Sequence, residues 1–500
     1  MNRRQFLAAF GVGTAALSTT SLHRALAALP NGLLAPAAQA VDPAAHVVNR
    51  LTYGITPELY GEIARIGAEG FLAQQLDPAG IDDLELEPRL NPWKDILNEQ
   101  GGVLFREYEN ERGPILQALI GGTAARAVYS RRQLYERMVY FFSNHFHVFL
   151  AKGPTLYLKV DDDRDAIRPH AMTTFRQILG ASAKSPAMLV YLDNAQSNKR
   201  APNENYAREL MELHTLGVRG GYTEDDVKEV ARAFTGWSVR APREGGDTFT
   251  YFFRRTFHDD EAKTLLGMTL PAGGGESDGD RVLDLLAAHP STARFISEKL
   301  ARRFVSDAPP EALVGRMAES FTASGGDITT VLRTLFAAPE FWSAPPKLKQ
   351  PFELLVGMLR ALSFDMDEPR RFARTVGDFM QALGHTPFAW VSPDGYPDVA
   401  SHWRDGLLIR WNLAILTAMG AMPGGQTRAE RLGLLLEENG IALELDAVLN
   451  FLGRYLLGRA LTTDEHAIVM DFAHGAADST EVQIASGLAL LLASPAYQYR

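Results

Sequence analysis

Five hundred residues with 46% hydrophobic, 22% charged and 9% aromatic content make an ordinary globular composition and exclude a disordered tail, a collagen-like fibre and a membrane bundle. With no cysteine, a disulfide scaffold, a thiolate metal site, a cysteine nucleophile and a cysteine-held iron–sulfur cluster are excluded as well. A formal net charge of −10, with no long run of Lys and Arg, speaks against nucleic acid and anionic lipid as partners, since both need a concentrated basic face.

The first forty residues carry three arginines and no acid. Arg3-Arg4, followed by Phe6-Leu7 and a weakly apolar run from Ala8 to Thr20, form a twin-arginine signal pattern. The run falls short of the roughly 20 residues that a spanning helix needs, so no membrane span is expected in the mature chain. Ala25-Leu26-Ala27 supplies a small-residue cleavage site and Ala38-Gln39-Ala40 a later one. Residues 1–27, or as far as 40, are therefore read as a leader and the destination as periplasmic or extracellular. Without these arginines 47 basic residues face 60 acidic ones, a mature charge near −13. The twin-arginine route carries folded cargo and so hints at a group loaded in the cytoplasm, a divalent metal being the candidate cofactor.

Helix signals then follow one another. Thr56 and Pro57 open a helix that Gly67 should end. The stretch Thr123–Asn144 reads as one long helix with Tyr135, Val139 and Phe142 on its core face. Pro169 is expected to start a helix to about Ala183, and Ala187–Leu192 a short one. Asn203 caps Glu204–Leu216, which Gly217 ends, while Thr223 with Asp226 forms a capping box for a helix whose apolar stripe is Val227, Val230, Ala231 and Phe234. Thr248–Phe253 is rich in β-branched and aromatic residues, so a small hairpin is expected near 248–257. Helical patterns resume at Arg281–Ala288, Ser291–Val305, Ile328–Ala337, Pro351–Leu362, Asp367–Leu383, Ala429–Glu438, Leu443–Leu457, Thr463–Ala473 and Val482–Leu492. The fold expected is all-α and multi-helix, in one or two lobes with a small β-hairpin insertion: 41–237 as an N-terminal helical lobe, 238–279 as hairpin and loop, 280–500 as a C-terminal helical lobe.

Three stretches carry candidate chemistry. In Asn203-Glu204-Asn205-Tyr206-Ala207-Arg208-Glu209-Leu210-Met211-Glu212 the polar residues share one arc of about 140°. Such an arc is either a solvated face laced by Glu204–Arg208 and Arg208–Glu212 pairs, or the wall of a cleft where carboxylates bind a cation or exchange protons. His214 falls on the apolar arc as a core histidine. His145 and His147 can share a metal only if their helix has already ended, and His258-Asp259 with Lys263 is either a polar turn or a binding cluster. Gly384–Pro397, with Trp390 and nearby Trp403, is a stiff loop that either caps the core or binds a polymer.

The runs Pro202–Gly217, Tyr222–Val227 and Ala231–Trp237, together with Asn49–Gly54, Glu136-Arg137-Met138, Asn144-His145-Phe146, His258-Asp259 with Lys263 and Gly267, and Ser494–Gln498, closely resemble the bacterial exported family DUF1800, a domain of unknown function. The resemblance implies an exported, mostly helical protein that often occurs beside an alkaline-phosphatase-like exported family. It departs at Gly395-Tyr396, where the family often has Gly-Trp, and His147 lies outside the pattern, which favours His145 as the metal candidate. It also favours a functional face with Glu204, Arg208, Glu209 and Glu212 as catalytic residues. Asn203, Asn205, His258, Asp259, Lys263, Trp390 and Trp403 are then the binding residues. Two functions fit: a hydrolase on an extracellular or cell-wall polymer with a carboxylate-rich, metal-binding cleft, or a non-catalytic binding or assembly partner of another exported protein.

Export by the twin-arginine route requires that replacing Arg3 and Arg4 with lysine keeps the protein in the cytoplasm with its leader attached. Fractionation followed by N-terminal sequencing checks this, and processed protein outside the cytoplasm refutes it.

Overall fold

The computed structural model describes residues 19–29, 41–242 and 248–500. Arg3-Arg4, the Ala38-Gln39-Ala40 site and Gly245-Gly246 lie outside them. Helices dominate, and the described strands form only three two-stranded antiparallel ladders. Trp237–Val239 (β1) pairs with Tyr251–Phe253 (β2), Lys263–Leu265 (β3) with Met268–Leu270 (β4), and Phe364–Met366 (β5) with Gly425–Thr427 (β6). The fold is thus all-α with small hairpins. The β-rich run at 248–253 pairs back onto Trp237–Val239 instead of closing on itself, and the tight hairpin lies further on, around Leu266 and Gly267, both with positive φ.

Helix boundaries follow side-chain capping more closely than apolar periodicity. The expected Thr123–Asn144 helix is two helices, Arg112–Tyr129 and Gln133–His145. The break arises because the Asp83 carboxylate accepts from Ser130 Oγ and the Arg131 N–H, both at 2.7 Å. Gln133 then donates to the freed carbonyls of Ala127 and Ser130. Pro169 lies in a 3-10 turn, Arg168–His170, and the following helix, Phe175–Lys184, starts at the Thr174–Gln177 capping box. Gly67, at φ 71°, ends the first helix as expected, and a second runs on across the kink to Gln75. Among the helices not anticipated are Pro43–Leu51, capped by Asp42, and Glu311–Ala323 and Leu407–Ala418, whose start signals are weaker. Ile328–Ala337 is as expected, and the other late helices agree to within three residues or so at either end except the first, which begins at Ser277.

Two large apolar cores result. One gathers side chains between Val47 and Phe341, including Phe142, Phe175, Met211 and Phe234. The other joins the Arg112–Tyr129 helix to the helices from Pro351 to the C-terminus. They meet where the Asn49–Gly54 run crosses the Pro351–Ala361 helix. There Gly54 lies so close to Gly357 that a Cβ on Gly54 would sit 2.9 Å from the Gly357 Cα, and the Gly54 carbonyl accepts from Arg360 Nε at 2.8 Å. Thr52 presents its carbonyl to Arg137, and Arg50 donates to the carbonyls of Val305 and Pro345.

At this junction Glu353, 2% exposed, is ion-paired with Arg137 at 2.8 Å and Arg303 at 2.7 Å, with Arg500 at 3.4 Å. Burial alone would raise its pKa, but the surrounding guanidinium groups and the Gln350 N–H reverse the sign and hold the carboxyl well below its usual range. A carboxylate with a depressed folded pKa stabilises fully above its unfolded value, about 4.3, and that stabilisation is lost as pH falls toward the folded value. Glu353→Gln strands buried cations and should cost about 3–5 kcal/mol. Urea titration at pH 7 measures the loss, and below pH ~4 the gap to the wild type should narrow.

Candidate functional site

The Glu204 helix divides its polar residues among three environments. Asn203 caps it by accepting from the Asn205 and Tyr206 amides, and the Asn203 and Asn205 side chains both donate to the Leu192 carbonyl. Arg208 reaches across to the next helix and grips Glu224 with two hydrogen bonds of 2.7 Å, with Glu204 3.9 Å away. Glu204, Arg208 and Glu224 are 48%, 35% and 68% exposed, so this part of the arc is an outward-facing strap between helices. Glu209 and Glu212 lie further in. Burial raises the Glu209 pKa, and the charges of Glu212 and Asp394 push the same way. Tyr222 donates to Glu212 at 3.3 Å.

After Glu209 the helix widens into a π-helical turn, Leu210–Thr215. Leu216 N–H bonds the Met211 carbonyl, and Thr215 Oγ1 takes the Leu210 carbonyl at 2.7 Å. The turn leaves His214 buried on the apolar side and presents its backbone carbonyl to His145 Nε2 at 3.0 Å. A carbonyl only accepts, so His145 carries its proton on Nε2 and offers the Nδ1 lone pair. Lys299 Nζ donates to that lone pair at 2.9 Å. Burial, then the Lys299 charge, holds His145 well below the usual histidine range, and burial lowers His214 to about 3. Both histidines are neutral at physiological pH.

Lys299, from the Pro290–Phe304 helix, lines a cavity of about 270 Å³ together with Asn144, His145, Leu213, Phe295 and the loop Asp394–Asp398. Burial and then the Arg302 charge lower its pKa to about 8 against the opposing pull of Asp394 and Asp398. Other cations on this wall are engaged: Arg302 with Glu298, and Arg303 with Glu353 and Asp398. Among the described residues no carboxylate lies within 4 Å of Lys299, whose amine rests on a neutral imidazole.

The opposite wall is built by a reciprocal amide lock. Asn144 Nδ2 donates to the Tyr396 carbonyl at 3.0 Å, and the Tyr396 N–H donates to Asn144 Oδ1 at 2.8 Å. Gly395, at φ 73°, allows the approach, since a Cβ there would sit 2.2 Å from the Asn144 carbonyl oxygen. The Tyr396 hydroxyl bonds the Thr386 carbonyl, and its ring packs on His385 at 4.6 Å. Trp403 is buried and donates to the Pro397 carbonyl, while half-buried Trp390 donates its indole N–H to Asp394 at 2.9 Å. Trp403 thus braces the loop, and Trp390 holds Asp394 at the mouth of the cavity.

His258, Asp259 and Lys263 lie elsewhere. Lys263 Nζ donates to Asp278 at 2.8 Å and to the Asp259 and Glu261 carbonyls, and His258 Nε2 faces the same Asp278 carboxylate at 3.3 Å, the Lys263, His258 and Asp278 side chains being wholly buried. Asp259 pairs with Arg232 through two hydrogen bonds. This cluster pins the strand segment to the helix Ser277–Ala288. Both ring nitrogens of His145 are engaged, and among the described residues no three His, Asp or Glu converge as a metal site. The sequence marked both walls, through Asn144-His145-Phe146 and Gly395-Tyr396, but Lys299 sits in an ordinary amphipathic helix with nothing in its neighbourhood to flag it.

A family model described as a protein of unknown function, DUF1800, matches residues 46–499. No curated protein and no solved structure matches the chain.

Gly395→Ala should push the Asp394–Asp398 loop off Asn144, and Asn144→Ala should remove the same lock. The two substitutions are expected to be strongly non-additive in a double-mutant cycle, with an interaction energy of about 1 kcal/mol or more. Arg208→Ala, at the surface strap, should barely move the denaturation midpoint. Urea denaturation of all four variants decides both expectations, and simple additivity of the first pair would break the proposed lock.

Proposed function

We propose that this chain, which belongs to the DUF1800 family, is an exported acid–base enzyme acting as a hydrolase on an extracellular or cell-wall polymer, and that its chemistry takes place in the Lys299 cavity. The observation that carries this reading is the Lys299 amine: half-buried, aimed into a cavity, and supported by His145 instead of neutralised by a carboxylate. An amine so placed shares its proton with solvent near neutral pH and, when neutral, takes a proton from an attacking water. Glu209, whose carboxyl is raised by burial, is the acid available to protonate a leaving group. Tyr396 and Trp390 offer aromatic surface for a sugar or peptide unit.

This reading moves the chemistry from Glu204 and Arg208, which tie two helices at the surface, to the inner end of the same motif. A second reading, a binding or assembly role beside an alkaline-phosphatase-like exported protein, rests on Val391, 72% exposed next to Trp390 at the rim.

Competitive labelling with acetic anhydride, read by mass spectrometry, should give Lys299 a midpoint near pH 8, well below the exposed lysines at about 10.4. In a screen of cell-wall polymers, hydrolysis should rise with pH through that midpoint, vanish in Lys299→Met and survive in Glu204→Gln. Activity that persists in Lys299→Met, or disappears in Glu204→Gln, refutes the assignment. Binding of a polymer without turnover would favour the second reading.

A further inference from the structure

The segment assigned to the leader does not stand clear of the protein. Thr19–Ala28 is a helix, and along it Leu22 and Leu26 are fully buried, with Leu29 at 7% exposure just beyond its end. They belong to the same apolar core as Leu413, Ala414, Leu488 and Leu492. The His23 ring lies 5.3 Å from that of Trp411, on the Leu407–Ala418 helix. The exposed positions are Ser21, His23, Arg24, Ala27 and Ala28. Leucines four apart therefore make a single stripe, and the stripe is spent on the chain's own C-terminal helices.

This placement bears on processing. A protease that reads Ala25-Leu26-Ala27 needs the segment extended and its small residues accessible, as peptide-recognising clefts generally do. Here the three residues are helical, and the middle one is buried in the core. We infer that the groove between the helices Leu407–Ala418, Thr463–His474 and Thr480–Ala493 is a docking site for the chain's own Thr19–Leu29 segment, which masks the Ala25-Leu26-Ala27 cleavage motif until the helix is drawn off. Removal of the leader then opens an apolar groove that was covered in the precursor. The inference is independent of the chemistry proposed at Lys299.

The test uses the full chain. Hydrogen exchange followed by mass spectrometry should show protected amides across residues 23–29, and trypsin should cut after Arg24 at least about tenfold more slowly than in the variant Leu22→Asp/Leu26→Asp, because cleavage requires prior undocking. The variant should also bind more of an apolar dye such as ANS, with its far-ultraviolet circular dichroism nearly unchanged. Unprotected amides in the wild-type chain overturn the inference whether or not the variant folds, and so do equal rates of cutting at Arg24. Protection that appears only in a dimer, and is lost on dilution to the monomer, assigns the helix to a second copy and equally overturns it.

Discussion

A buried carboxylate sets the terms for the rest of this structure. Glu353 lies among Arg137, Arg303 and Arg500, side chains from three separated parts of the chain, and a charge in so dry a place is tolerable only while its partners surround it. The requirement draws the Gln133–His145 and Pro290–Phe304 helices and the last residue onto the start of the Pro351–Ala361 helix. That same convergence builds the base of the cavity. Arg303 and Gln350 line it, and the Phe352 N–H fixes the neutral His385 ring against which Tyr396 packs. The ion cluster thus shapes the cavity that Lys299 and Asn144 line together.

Polar residues in the motifs fall into three classes of environment, and the environment decides what each can do. Glu204, Arg208 and Glu224 face water, where their attraction is screened and serves to align two helices. His258 and Lys263 both meet the Asp278 carboxylate out of reach of solvent, which suits the three to hold a strand segment in place. The residues of the Lys299 cavity lie between these extremes, dry enough for shifted proton affinities and open enough for a ligand to enter. The chemistry of His145 follows from the π-turn at Leu210–Thr215. By presenting the His214 carbonyl to Nε2, the turn fixes the tautomer and leaves Nδ1 to receive the lysine.

Much was legible in the amino-acid sequence. Its caps at Thr56, Asn203 and Thr223, the left-handed glycine at 217 and the 3.6-residue apolar stripes reflect local rules of backbone sterics and hydrogen bonding, so the helical class and most late helices could be read directly. The family motifs likewise marked Asn144-His145, and the stiff Gly384–Pro397 loop drew notice to the segment that holds Tyr396, although not that they meet. What the sequence left open depends on partners remote along the chain. The break at Ser130 needs Asp83, and the strand at Tyr251–Phe253 needs Trp237–Val239. Lys299 becomes distinctive only when His145, 154 positions away, takes its amine. Periodicity reports which face of a helix is apolar, but the proton affinity of a side chain is set by burial and by neighbouring charges, and these exist only once the tertiary structure has assembled them.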